Sequence, residues 1–294
     1  MKRVRAEILS ARRFGAYHSI TLVAPDIAER ARPGQFLAVA MPEGREFLLR
    51  RHFSIHQSAR RGGWAGTLEF AFDDHGRGTQ WLARGRPHEF LDVIGPLGTP
   101  FSYPRQLTNC MLVAEGHGAA SIYFLAQELR SRGKRVDMVI GGRDEEHVFK
   151  QIEGKRLSQT IAFVTEDGSL GERGSAMDAV PEMAERSGAE VVYAAGSGAM
   201  LRRLAEFCRE SHLPAQFAVE ERMGCGLGLC FTCGVPVARK DGSGYDTLRA
   251  CVEGPVFNPA RVLWDVWMGE RAPGGRELLE TPPEGSPVVR SWPG

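Results

Sequence analysis

CMLVAEGHGAASIYFLAQELRSRGKRVDMVI, residues 110–140, decides the fold class. Its first five residues form a short apolar run, the pattern of a parallel strand buried on both faces. A glycine-rich turn follows. Residues 119–132 then read as a helix, with Ile122, Leu125, Ala126 and Leu129 on one face. Gly133 suits the left-handed position that ends a helix, and residues 136–140 return to strand. Strand, helix and strand in this order make one crossover of a mainly parallel sheet. Residues 160–164 and 191–195 are further strand candidates with helical segments beside them, so 103–214 reads as an α/β domain.

Upstream the pattern changes. Segments 19–23, 36–40, 66–72 and 89–94 are short, β-branched or aromatic, and bounded by Gly, Pro or Asp. Prolines 33, 42, 87, 96 and 100 argue against long helices. Residues 1–102 therefore read as an antiparallel β-barrel. Downstream, 215–266 combines cysteines, glycines and short strands. Residues 267–294 are rich in Gly and Pro and are expected to be extended or disordered, with a docking role.

Bulk properties set limits. A chain of 294 residues, 43% of them hydrophobic, can bury the cores of two or three domains. Its 37 basic and 36 acidic residues leave a net charge of +1, which calls for neither nucleic acid nor an anionic membrane as partner. No apolar run reaches the roughly 18–20 residues of a membrane span. The basic start MKRVRAEILSARRFG lacks the apolar stretch of a signal peptide. A cytoplasmic protein is the expectation.

Four of the six cysteines crowd together: Cys225, Cys230, Cys233 and Cys251. The spacing is C-x4-C-x2-C-x17-C, and its first three members match the plant-type [2Fe–2S] pattern. Gly224, Gly226 and Gly228 permit the close wrapping that such a loop requires, and exposed amides can point at the sulfurs. Leu229 and Phe231 are expected to keep water away. Structural zinc is the rival, but zinc sites favour two CxxC pairs, and only Cys230 and Cys233 form one. Cys110 and Cys208 sit in apolar surroundings and read as buried structural thiols. No Ser–His–Asp or paired-carboxylate catalytic site is read.

The flavin signals are weaker one by one. Arg51-His52-Phe53-Ser54-Ile55 at a barrel edge could hold a flavin phosphate and cradle its ring, or be an ordinary strand with one surface cation. Gly76-Arg77-Gly78-Thr79 is a glycine turn opening a helix, which can set N–H groups against phosphate. Gly95-Pro96-Leu97-Gly98 reads as a tight turn between domains. The turn carrying Gly116 and Gly118 stands where α/β domains bind dinucleotides, although it is not GxGxxG. Glu115 in that turn would repel a diphosphate unless it points away or binds a hydroxyl.

Up to about residue 266 the chain resembles the electron-transfer subunit of the two-subunit, NAD-linked dihydroorotate dehydrogenases, in the ferredoxin–NADP reductase superfamily. The resemblance is strongest at 220–233 and at Glu253-Gly254-Pro255-Val256-Phe257, and continues through the three flavin segments and Thr165-Glu166-Asp167-Gly168-Ser169-Leu170-Gly171. It implies FAD against Arg51, Phe53, Ser54 and Ile55, its pyrophosphate at Gly76, Gly78 and Thr79, and a [2Fe–2S] cluster on the four cysteines. It places Asp167, Gly168 and Ser169 on the nicotinamide-side surface. The implied partner is an FMN-containing dihydroorotate dehydrogenase catalytic subunit, in a heterotetramer with two copies of each, serving pyrimidine biosynthesis. On this reading the chain alone does not oxidise dihydroorotate.

This sequence departs from the family at three places. His52 stands where the family usually has proline. Glu115 and His117 interrupt the glycine run of the nicotinamide loop, and Ala195-Gly196-Ser197 replaces a Cys-Gly-Pro motif. NAD is thus a candidate cofactor rather than a fixed one, and the expectation is altered nicotinamide use with FAD-to-cluster transfer kept. A reductase subunit of another redox complex, such as a hydrogenase, shares the architecture. A zinc-stabilised structural module is the non-redox alternative.

Overall fold

A computed structural model describes residues 1–41, 47–60 and 62–269. The tail expected from residue 267 lies, beyond residue 269, outside the described residues.

The chain opens with β1 (Lys2–Phe14) and β2 (Tyr17–Val23), followed by α1 (Pro25–Ala28), β3 (Phe36–Val39), β4 (Arg51–Ala59), β5 (Thr67–Asp73), α2 (Arg77–Leu82) and β6 (Phe90–Leu97). The strands close into an antiparallel barrel in the order β1-β2-β5-β4-β3-β6, with β6 returning to pair with β1. Side chains alternate across each strand. Ala6 and Ile8, Ile20 and Leu22, and Phe53 and Ile55 point inward to one core. β1 was not among the expected strands. Its outward positions Lys2, Arg3, Arg5 and Glu7 dilute the apolar signal, which survives only as alternation.

The second unit runs β7 (Asn109–Glu115), α3 (Ala119–Ser131), β8 (Arg135–Gly142), α4 (Gln151–Leu157), β9 (Thr160–Thr165), β10 (Glu172–Arg173), α5 (Ala176–Ser187), β11 (Val191–Ala195), α6 (Gly198–Glu210) and β12 (Ala215–Ala218). β13 (Gly234–Ala238), β14 (Tyr245–Arg249), β15 (Val256–Phe257) and α7 (Trp264–Trp267) complete the chain. Among the described residues the large sheet has the order β10-β9-β8-β7-β11-β12-β15. All its pairings are parallel except the edge pair β12–β15.

The β7 run is apolar throughout because both faces are covered. Met111 and Val113 join a core with Val180 of α5 and Leu201 and Leu204 of α6. Cys110, Leu112 and Ala114 face the other side, against Ile122, Leu125, Ala126 and Leu129 of α3. Gly133 has φ 72, the left-handed turn expected after that helix. Cys110 and Cys208 are buried.

The sheet does not stop at residue 214. β12 pairs with β11, and β15 closes the edge after the cysteine segment. That segment, with the β13–β14 hairpin, is thus an excursion from the sheet edge. Cys233, Val235 and Ala250 pack into the same core as β11 and α6.

Polar contacts fix the barrel against the sheet domain. His56 of β4 is fully buried, with Nδ1 3.0 Å from the Ala120 carbonyl and Nε2 3.3 Å from Glu153. Lys150 bridges Glu69 of the barrel at 2.6 Å, and the Tyr17 hydroxyl donates to the His147 carbonyl at 3.0 Å. No helix among the described residues is long and apolar enough to cross a membrane.

Candidate functional site

A cleft of about 430 Å³ opens where barrel, sheet domain and cysteine segment meet. β4 contributes Arg51, His52, Phe53 and Ser54, and the β5–α2 turn contributes Gly76, Arg77, Gly78 and Thr79. The two halves touch. A Cβ at Gly78 would begin 3.1 Å from Arg51 Nε, so Arg51 lies close over the glycine and a side chain there would crowd it. Thr79 is tied to Gly76 through its hydroxyl, which accepts from the Gly76 amide at 3.1 Å. Together these make a cationic patch beside a short glycine turn, the donor set that a flavin pyrophosphate asks for.

Of the flavin residues expected from sequence, Arg51, Phe53, Ser54, Gly76, Gly78 and Thr79 line this cleft. Ile55 instead faces the barrel core and is fully buried there. Gly118 lines the cleft, whereas Gly116 turns beneath the Tyr17 hydroxyl. Sequence reasoning missed Asp73, His75, Glu221, Met223 and Pro255 as lining residues. Glu221, Met223 and Pro255 lie within the cysteine-segment motifs and were not read as facing the flavin cleft, whereas no local motif announces Asp73 and His75.

The cysteine loop is organised by its backbone. Leu227 and Leu229 amides each donate to Cys225 Sγ at 3.3 Å, and the Cys225 amide reaches Cys230 Sγ at 3.3 Å. Gly226 and Gly228 have φ of 69 and 83, which turns these amides inward. The Thr232 hydroxyl lies 3.2 Å from Cys230 Sγ. That hydroxyl and the surrounding amides lower the Cys230 thiol to about 6, favouring thiolate. Cys251 is pushed up to about 12, first by burial and then by neighbouring Cys233.

Cys230 meets Cys225 most closely, and Cys251 meets Cys233 first and feels Cys225 beyond it, an arrangement that suits two pairs of thiolates. Four thiolates on one zinc converge on a single point. Two irons instead need two pairs. The residues present fit a two-iron cluster.

Leu229 and Phe231 depart from expectation. They are 80% and 60% exposed, so they rim the loop instead of sealing it. Phe231 has φ 59, and Arg249 lies 4.9 Å from its ring centroid.

Glu115 and His117 both have partners. The Glu115 carboxylate accepts a hydrogen bond from Ser197 Oγ at 3.0 Å. Ser197 also accepts from the Met200 amide at 3.2 Å, capping α6. Burial nevertheless raises the Glu115 carboxyl above its usual range, against the Ser197 hydrogen bond. His117 Nε2 lies 2.9 Å from Glu220, and Nδ1 lies 4.0 Å from Asp73. Burial alone would lower His117, but Glu220 and Asp73 outweigh it and raise the imidazole to about 9. Asp167, Gly168 and Ser169 form an exposed turn after β9, with Asp167 accepting from the Ser169 amide at 2.9 Å.

Comparison with known proteins agrees with this arrangement. Residues 220–263 match the family model for the iron–sulfur cluster binding domain of dihydroorotate dehydrogenase B. The chain is 35% identical over 246 residues to the electron transfer subunit of dihydroorotate dehydrogenase B (NAD(+)) from Desulforamulus reducens, covering 82% of this chain and 90% of that one. The chain belongs to this electron-transfer subunit family. The Bacillus caldolyticus subunit is 34% identical over 249 residues, covering 84% of this chain and 92% of its own length. A chain in the structure of the NADH-dependent reduced ferredoxin–NADP oxidoreductase superposes with a TM-score of 0.77 at 24% identity, covering 93% and 95% of the two chains. That likeness shows the shared fold. As a member of the dihydroorotate dehydrogenase B family, this subunit is an iron–sulfur flavoprotein of electron-transfer type rather than a stand-alone catalytic enzyme.

Proposed function

We propose that this subunit carries electrons between the FMN of a dihydroorotate dehydrogenase catalytic subunit and NAD, by way of one [2Fe–2S] cluster and one FAD. The carrying observation is that the paired cysteine loop and the Arg51–Gly78 cleft adjoin one another. His52 occupies both, because its ring fills the space a side chain at Gly226 would take. When bound, FAD and the cluster supply exchange between two-electron and one-electron carriers. The protein's part is to hold them. Arg51 and the Gly76–Thr79 turn would anchor the flavin diphosphate, and the Leu227 and Leu229 amides would stabilise negative charge on sulfur. The exposed rim of Leu229 and Phe231 suits contact with a catalytic partner, where burial would complete the water exclusion around Cys230. A heterotetramer with two copies of each subunit is the proposed assembly. The names of the relatives support the partner and the role in pyrimidine biosynthesis.

The nicotinamide would approach the ends of β7 and β11, where open α/β sheets bind ligands. The carboxylate of Glu115 is engaged with Ser197, which supports nicotinamide use despite the altered loop. Stopped-flow reduction of bound FAD by NADH, in the parent and in Glu115→Gly, tests this. Fast parental reduction with at most about a threefold change in the variant is expected, below the tenfold that 1.4 kcal/mol would give. Slow parental reduction rescued by Glu115→Gly would establish repulsion. Slow reduction in both, with electrons still accepted from a reduced partner, would replace NAD by another acceptor.

A further inference from the structure

A side chain of the barrel stands between the two proposed cofactor sites. His52 lies on β4 between Arg51 and Phe53, and it lines the flavin cleft. Its ring crosses into the cysteine loop. A Cβ built on Gly226 would sit 2.2 Å from His52 Nε2 and 2.5 Å from Cδ2. Gly226 therefore has two reasons to be glycine: its φ of 69 and the imidazole filling its side-chain space. Phe36 braces the ring edge-on, with centroids 5.9 Å apart.

The ring is packed, and its contact with the Cys225 backbone, which partly offsets the lowering by burial, falls short of a well-formed hydrogen bond, so Nε2 stays buried and unsatisfied. Native proteins seldom leave such an atom unsatisfied, because its desolvation is then uncompensated. Nε2 is directed at the Cys225–Gly226 turn, on the loop whose Leu227 and Leu229 amides already donate to Cys225 Sγ. A cluster held by this loop would bring sulfur acceptors to the same turn.

We propose that His52 is a positioning residue that links the flavin strand to the iron–sulfur loop, its Nε2–H donating to a sulfur of the bound cluster. The donation adds a side-chain hydrogen bond to those the loop's backbone amides supply. Hydrogen bonds to the sulfurs stabilise the reduced, more negative cluster and raise its potential. The same ring sets the spacing between flavin strand and cluster loop. This inference rests on the [2Fe–2S] reading above.

The test uses the full chain, loaded anaerobically, with histidine labelled with ¹⁵N. Pulsed EPR of the reduced cluster should show weak coupling to a histidine nitrogen in the parent, and His52→Leu should lose it. In an EPR-monitored redox titration, His52→Leu should hold a lower potential. The expected shift is up to about tenfold in the reduced-to-oxidised ratio, 59 mV for one electron. His52→Gln, which keeps a donor, should lie between. A cluster signal without nitrogen coupling in the parent, coupling that survives in His52→Leu, or an unmoved potential would each overturn the role of His52 while leaving the cluster in place. Absence of any cluster signal would instead defeat the underlying reading. If neither variant holds a cluster, presence or absence of the parental coupling decides.

Discussion

Arg51 is where a single side chain carries most of the proposed flavin contact. A charge-assisted hydrogen bond to phosphate is worth about 1.5–3 kcal/mol, so Arg51→Ala should raise the FAD dissociation constant roughly tenfold to a hundredfold. Flavin fluorescence on dilution measures it, and unchanged retention would remove Arg51 from the site. His117 makes a prediction of another kind. Its folded value near 9 lies above the ordinary 6.5. The contact with Glu220 and Asp73 thus contributes fully below about pH 6.5 and is lost as pH rises through about 9. The side chain is 46% exposed, so solvent screening leaves about 0.5–1 kcal/mol. Urea unfolding at pH 6.5 and 9.5 should show that loss in the parent and not in His117→Asn. Neither the partner of His117 nor that of Glu115 was legible in the sequence. Glu220 lies 103 positions from His117 (220 − 117), and Ser197 lies 82 from Glu115, so only the folded sheet brings them together. The cysteines were legible because ligand spacing is local.

At the level of elements, the segment β7–α3–β8 could be read directly. A strand covered on both faces is apolar at every position, and the helix after it shows one apolar stripe. β12 was harder. Its four residues are short, and they stand beside the cysteine segment, so composition assigned them to the wrong neighbour in space. The joint between barrel and sheet domain was invisible to sequence patterning, since it depends on polar groups buried by another element. His56 satisfies the Ala120 carbonyl at the start of α3 and contacts Glu153 of α4. His56→Leu would leave both without that partner, at a cost of about 2–3 kcal/mol. A lower urea midpoint is the expected result, together with faster FAD loss because the cleft lies along the same joint. A variant as stable as the parent would show that the joint rests on apolar packing alone.

For the whole molecule, the arrangement of three parts explains why the chain is a carrier. The barrel and glycine turn line the proposed flavin cleft, the sheet edge suspends the cysteine loop, and His52 stands between them. No paired-carboxylate or nucleophile site is required when the bound cofactors perform the exchange. The central claim is that the two thiol pairs hold a redox-active [2Fe–2S] cluster. Its most direct test is low-temperature EPR of anaerobically purified protein reduced with dithionite, with the spins counted against protein and metal content. About one unpaired electron per chain is expected, with about two irons and two labile sulfides. An EPR-silent protein containing about one zinc per chain and no labile sulfide would contradict it.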